Sequence, residues 1–147
     1  MLMKDLVVTI TPVAEDVLAR LGLDGDLDPA QPTRLVLQML ERVAERYLLD
    51  VRDIDRKVDE VEGRLERSLR NREVLDLLAY QKGLVHFDTA LASNQIMMER
   101  LAKDDRLLKS PAEVEQLADV LVEFRQAGRM TEVSTNILAQ MMDAFAS

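Results

Sequence analysis

Three apolar stripes, each held in step over many turns, restrict this chain more than any other feature. The first is Leu40, Val43, Tyr47, Val51, Ile54, Val58, Val61 and Leu65. The second is Leu77, Tyr80, Leu84, Phe87, Leu91, Asn94, Met98 and Leu101. The third is Val114, Leu117, Leu121, Phe124, Gly128, Thr131, Thr135, Leu138, Met142 and Phe145. Residues that return every three or four positions line one side of a helix. A rhythm kept this long is the pattern of long, slightly supercoiled helices packed side by side. The expected fold class is therefore mainly α, with long antiparallel helices forming a coiled stalk. The polar Asn94 inside the second stripe would fix their register.

Local signals divide the stripes into helices. Pro32 opens a helix that runs to about residue 68, and residues 68–72 are the expected break. Asp53–Lys57, Glu60–Arg64 and Glu66–Arg70 are spaced as i,i+4 ion pairs on its wet face. Residues 103–109 form a polar connector. Ser110-Pro111-Ala112-Glu113 is a capping box with Pro at the first helical position.

The two ends differ from the middle. Leu6-Val7-Val8-Thr9-Ile10 is β-branched and reads as a strand. Thr11-Pro12 starts a short helix with Leu18 and Leu21 on one face and Gly22 as its stop. One strand and one short helix cannot make a sheet domain. Residues 1–30 are thus expected to be the strand-helix remnant of an N-terminal α/β domain, and residues 31–147 the long-helix stalk. Asp24-Gly25-Asp26-Leu27-Asp28 resembles a calcium loop but has Pro29 at the sixth position and Leu35 at the twelfth, where Gly and Glu are needed. At the other end the chain closes Met141-Met142-Asp143-Ala144-Phe145-Ala146-Ser147, with no Gly, Asn or basic residue to cap the last carbonyls. That ending is expected of a helix cut in mid-run, hence of a piece of a longer protein.

Composition removes whole classes of function. There is no Cys and a single His, so thiolate chemistry, disulfides and zinc sites of Cys and His are excluded. No phosphate loop or nucleophile–base pair is present, and an enzyme is not expected. His86, between Val85 and Phe87, reads as a packed or half-exposed histidine and not a ligand. A net charge of −8 argues against nucleic acid as a partner. Residues 34–109 carry fifteen acids and fifteen bases, whereas 1–33 and 110–147 each carry six acids and two bases. No apolar stretch approaches the ~20 residues that span a bilayer, so the segment is expected to be soluble.

One polar constellation stands out. Arg125, Arg129, Glu132, Asn136, Gln140, Asp143 and Ser147 follow one another at intervals of three and four beside the third stripe. The ordinary reading is the wet face of an amphipathic helix. The sharper reading is a ridge facing the axis of a symmetric oligomer, where amides and a ring of carboxylates hold a hydrated cation.

Residues 6–12 (LVVTITP), 81–101 (QKGLVHFDTALASNQIMMERL) and 119–147 (DVLVEFRQAGRMTEVSTNILAQMMDAFAS) resemble the cytoplasmic part of the CorA-type magnesium and divalent-cation transporters. The resemblance covers nearly the whole chain, without the family's Gly-Met-Asn signature or its two membrane helices. It implies a homopentamer with the third helix of each copy lining a pore, Mg²⁺ as both transported and regulatory ion, and membrane contact only through helices that follow this segment. Related members move zinc, cobalt or nickel. It implies that Asp143 forms an acidic ring at the cytoplasmic pore mouth, with Asn136 and Gln140 lining the pore. It implies that Asp119 binds the regulatory ion between copies. The two acids are 24 residues apart, about 36 Å of helix at ~1.5 Å per residue, so they cannot share an ion. A stand-alone helical scaffold or dimerisation module explains the stripes equally well.

Overall fold

The computed structural model describes residues 2–3, 6–8, 10, 17–20, 30–65 and 71–147. It is mainly helical. Two short strands come first, β1 (Leu2–Met3) and β2 (Leu6–Val7), antiparallel with Leu2 opposite Val7 and Met3 opposite Leu6. The strand expected over 6–10 is thus shorter and pairs with one that the sequence did not announce. Ile10 lies outside it, 90% exposed. A short α1 (Val17–Arg20) follows. The helix start at Thr11-Pro12, the stop at Gly22 and the calcium-loop-like run at 24–28 lie outside the described residues.

Three long helices make up the rest: α2 (Pro32–Leu65), α3 (Asn71–Leu101) and α4 (Pro111–Ala146). Their starts follow from local chemistry. Pro32 and Pro111 each occupy the first helical position, where a missing N–H costs nothing. At α4 the capping box forms as expected. The Glu113 N–H donates to Ser110 Oγ at 3.3 Å, and Glu113 Oε2 accepts from the Ser110 and Lys109 N–H groups at 3.1 and 2.7 Å. The connector before it is turned by Asp104, which accepts from the Arg106 N–H at 3.0 Å and from its guanidinium Nε at 3.1 Å. That hydrogen-bonded guanidinium holds the Asp104 carboxyl below its ordinary range. Thr33 Oγ1 donates to the Leu107 carbonyl at 3.3 Å, which ties the start of α2 to the connector.

The chain divides into two compact units, residues 1–46 with 96–123, and residues 47–95 with 124–147. In the first, the buried apolar residues are Leu37 and Ala44 of α2, Met98 of α3, and Leu117, Val120 and Leu121 of α4. In the second, Val58, Val61 and Leu65 of α2 form one cluster with Leu77 and Leu84 of α3 and Leu138 and Met141 of α4. There the Tyr47 ring meets Phe87 edge-on at 5.2 Å and Phe124 at 6.4 Å. Such pairs are worth ~0.5–1.5 kcal/mol beyond the area they bury. Partial burial, followed by the nearby Asp50 carboxylate, raises the Tyr47 phenol. Tyr47 near Phe87, and Leu65 clustered with Leu77, show α2 and α3 running antiparallel in this unit.

The second stripe holds throughout: Leu77, Leu84, Leu91 and Met98 are buried, and its other members Tyr80, Phe87, Asn94 and Leu101 are half-buried. The first and third shift slightly. Leu40 and Val43 are only half-buried, while Leu37 and Ala44 are buried. A hydropathy stripe passes over alanine, yet Ala44 is fully buried. Val114 is 52% exposed, in the first turn of α4 ahead of the core layer at Leu117.

The surface pairs follow a similar logic. Asp53 holds Lys57 at 2.6 Å, as expected, and also Arg56. The Glu60–Arg64 pair does not form. Arg64 instead reaches α3, 3.9 Å from both Glu73 and Asp76, and Glu60 lies 4.0 Å from Arg56. Glu73 is only 9% exposed and its Oε2 has no hydrogen-bond partner. A buried carboxylate needs a cation more than the exposed Glu60 does. The Glu66–Arg70 pair lies outside the described residues.

Leu84 and Val85 are sequence neighbours with opposite fates, 0% and 52% exposed. Leu84→Ala is expected to cost ~2–5 kcal/mol, and Val85→Ala less than ~0.5 kcal/mol. Chemical denaturation of both variants reads the difference, and equal losses would mean that α3 is packed on another face.

Candidate functional site

The polar ridge lies on α4, and all seven of its members are exposed, from Arg125 to Ser147. Asn136, Gln140 and Asp143 therefore present two amides and a carboxylate in sequence along one side of the helix. Ser147 Oγ donates to the Asp143 carbonyl at 2.9 Å, so one of the last carbonyls of α4 is satisfied without a glycine cap. His86 is exposed on α3.

Asp119 is exposed on α4 within the first unit. The structure places it in company that the sequence reading missed. Glu123, one turn on, has its carboxyl pushed above the ordinary range by partial burial, then by Glu45, Glu41 and Asp119. Two acids of α2 and two of α4 thus share one surface. Two i,i+4 acid pairs at similar distances from two helix starts could have suggested this, given knowledge that α2 and α4 lie alongside each other. Near those starts, Gln31, Arg34 and Gln38 face Ser110, Glu113 and Gln116 across a polar pocket of about 450 Å³.

This company does not make a metal centre. Among the described residues no group of three His, Cys, Asp or Glu side chains could hold a metal ion. Arg42 Nη1 already lies 2.8 Å from Glu45 Oε2. Mg²⁺ demands a near-octahedral set of oxygens, and the described residues of one chain do not supply it at Asp119. Asp119 and Asp143 lie in different units, on the same helix.

The model of the CorA-like Mg²⁺ transporter protein family matches residues 3–147. The chain belongs to this family. No curated protein and no solved structure matches it significantly. CorA-like proteins are membrane-associated, oligomeric transporters of divalent cations and not enzymes. Among the described residues no helix is long and apolar enough to cross a membrane. This chain carries an exposed carboxylate, Asp143, near the end of α4, and four acids where α2 and α4 run together.

A pH dependence follows from Glu123. Its folded-state carboxyl holds a proton more tightly than the unfolded chain does. Stability therefore falls as pH rises from the ordinary glutamate value through the raised one. Glu123→Gln is expected to flatten that slope and to raise the melting temperature at pH 7. Melting curves between pH 4 and pH 7 test this, and an unchanged slope would show that neither burial nor the neighbouring acids raise the Glu123 carboxyl.

Proposed function

We propose that this chain is the cytoplasmic sensor and stalk portion of a divalent-cation transporter, with Mg²⁺ as the transported ion and Co²⁺, Ni²⁺ and Zn²⁺ as the alternatives. The family match across residues 3–147 carries this reading. On it, residues 1–30 are the remnant of an N-terminal α/β domain, and residues 31–147 are the stalk, leading to membrane helices beyond this segment. The burial of Leu37, Ala44, Val51, Val58 and Leu65, each seven residues after the last, supports the coiled form of the stalk. A strict seven-residue repeat stays on one side only if the helices wind about each other.

Five copies would place α4 around a common axis, with Asn136 and Gln140 lining it and Asp143 forming a ring at its mouth. Carboxylates so arranged raise one another's pKa, and a divalent ion relieves the repulsion. The neutral amides offer oxygen to the ion's water shell without holding it too tightly to leave. A regulatory role for Asp119 requires oxygen ligands from another copy or from outside the described residues. The stand-alone scaffold reading draws on the outward apolar residues of α3, Leu75, Leu78 and Val85, which invite a helical partner.

Sequencing the source gene beyond the codon for Ser147 separates the two readings. Two apolar segments with Gly-Met-Asn between them are expected, and a stop codon would favour the scaffold. In the longer protein, reconstituted in vesicles, Asp143→Ala is expected to lower Mg²⁺ flux about tenfold or more while leaving the helical content unchanged. Unchanged flux would remove Asp143 from the pore. Calorimetry on the 147-residue chain is expected to detect only weak Mg²⁺ binding, and tight binding would place a complete site within this segment.

A further inference from the structure

A helix as long as α4 resists bending only where its backbone hydrogen bonds are unshared and its sides are packed. From Ala127 to Thr135 two carbonyls are shared, and at Gly128 one side of the helix is open, while Ala127, Thr131 and Ser134 stay buried. The Thr131 hydroxyl, fully buried, donates to the Ala127 carbonyl at 2.9 Å, and the Thr135 hydroxyl donates to the Thr131 carbonyl at 2.8 Å. These are the carbonyls that accept the helical N–H bonds of the same two threonines. A carbonyl shared in this way tilts, and such back-bonding weakens and bends helices. Gly128 sits in the same turn, and it is the residue type that contributes least to helix stiffness short of proline.

The surroundings leave room for movement. A Cβ added at Gly128 would meet nothing within 4 Å. Gly128 faces an open groove of about 250 Å³, walled by Leu91, Ala92 and Gln95 of α3 and by Phe124 of α4. Packed atoms on that side would otherwise hold the helix straight by dispersion contact. Away from that groove Thr131 and Ser134 are buried, and further along α4 Leu138 and Met141 belong to the core cluster.

We infer that residues 128–135 form a soft joint in α4, at which the helix bends towards α3 and closes the groove beside Gly128. The firm packing on either side confines the bend to about two turns. The joint is a property of this chain and does not depend on which ion is carried, or on whether any is.

Hydrogen–deuterium exchange on the full 147-residue chain tests it. The amides of 128–135 are expected to exchange about tenfold faster than those of 117–124 and 138–141. Gly128→Ala fits the open space and is expected to slow the joint about fivefold relative to those flanks. Thr135→Val, which removes one shared carbonyl, should also slow it. A fast segment slowed by either variant upholds the joint. Uniform exchange along α4, or a fast segment that neither variant slows, overturns it. Neither result bears on the flux of Asp143→Ala, so the joint and the transport reading stand or fall separately.

Discussion

Everything in this molecule rests on apolar layers repeated at a seven-residue spacing. Leu77, Leu84, Leu91 and Met98 are buried along α3, and Leu117, Phe124 and Leu138 along α4, where the polar Thr131 fills the remaining position. No single layer is large. Burying one such side chain gains ~1.5–3 kcal/mol, little more than the entropy of fixing its backbone and side chain. The helices persist because each new turn adds a layer to those already formed. The capping box at Ser110 and Glu113 sets where the α4 repeat begins, and thereby which residues reach the core.

The departures from that repeat carry the specific chemistry. Thr131 and Ser134 put hydroxyls into buried positions of α4. Thr131 satisfies its own by turning back onto Ala127, which loosens the helix where an apolar residue would have tightened it. Glu73 is a second departure, a buried carboxylate with the Arg64 guanidinium 3.9 Å away. Glu123 is a third, half-buried among other acids, and its raised pKa records the cost. The exposed ridge from Arg125 to Ser147 does not depart from the repeat at all. It is the face that the layers leave over.

Family membership rests on the match across residues 3–147, and the proposed role of α4 rests on that membership. A CorA-like protein must handle a hard divalent cation, which calls for oxygen ligands and negative potential. On the proposed reading α4 would supply both, and that helix has no basic residue after Arg129. A single chain offers them singly, because Asp143, Gln140 and Asn136 lie along one helix face and do not converge on a point. Only symmetry can turn one carboxylate into a ring.

The helix class, the starts at Pro32 and Pro111, the capping box and the whole second stripe were legible in the sequence, because periodicity and caps are local properties of a few turns. The wet ridge with Asp143, Asn136 and Gln140 was legible for the same reason. The burial of Leu37 and Ala44 in place of Leu40 and Val43 was not. Neither was the strand at Leu2–Met3, nor the turn of Arg64 away from Glu60 towards Glu73. Each depends on what stands opposite in space. The grouping of Glu41, Glu45, Asp119 and Glu123 is the clearest case. The sequence by itself determined that each pair lies one helical turn apart, since 3.6 residues per turn dictates it. Only the tertiary structure decided that the two pairs meet, because electrostatic interaction acts through distance in space and the sequence separation of α2 and α4 says nothing of that distance.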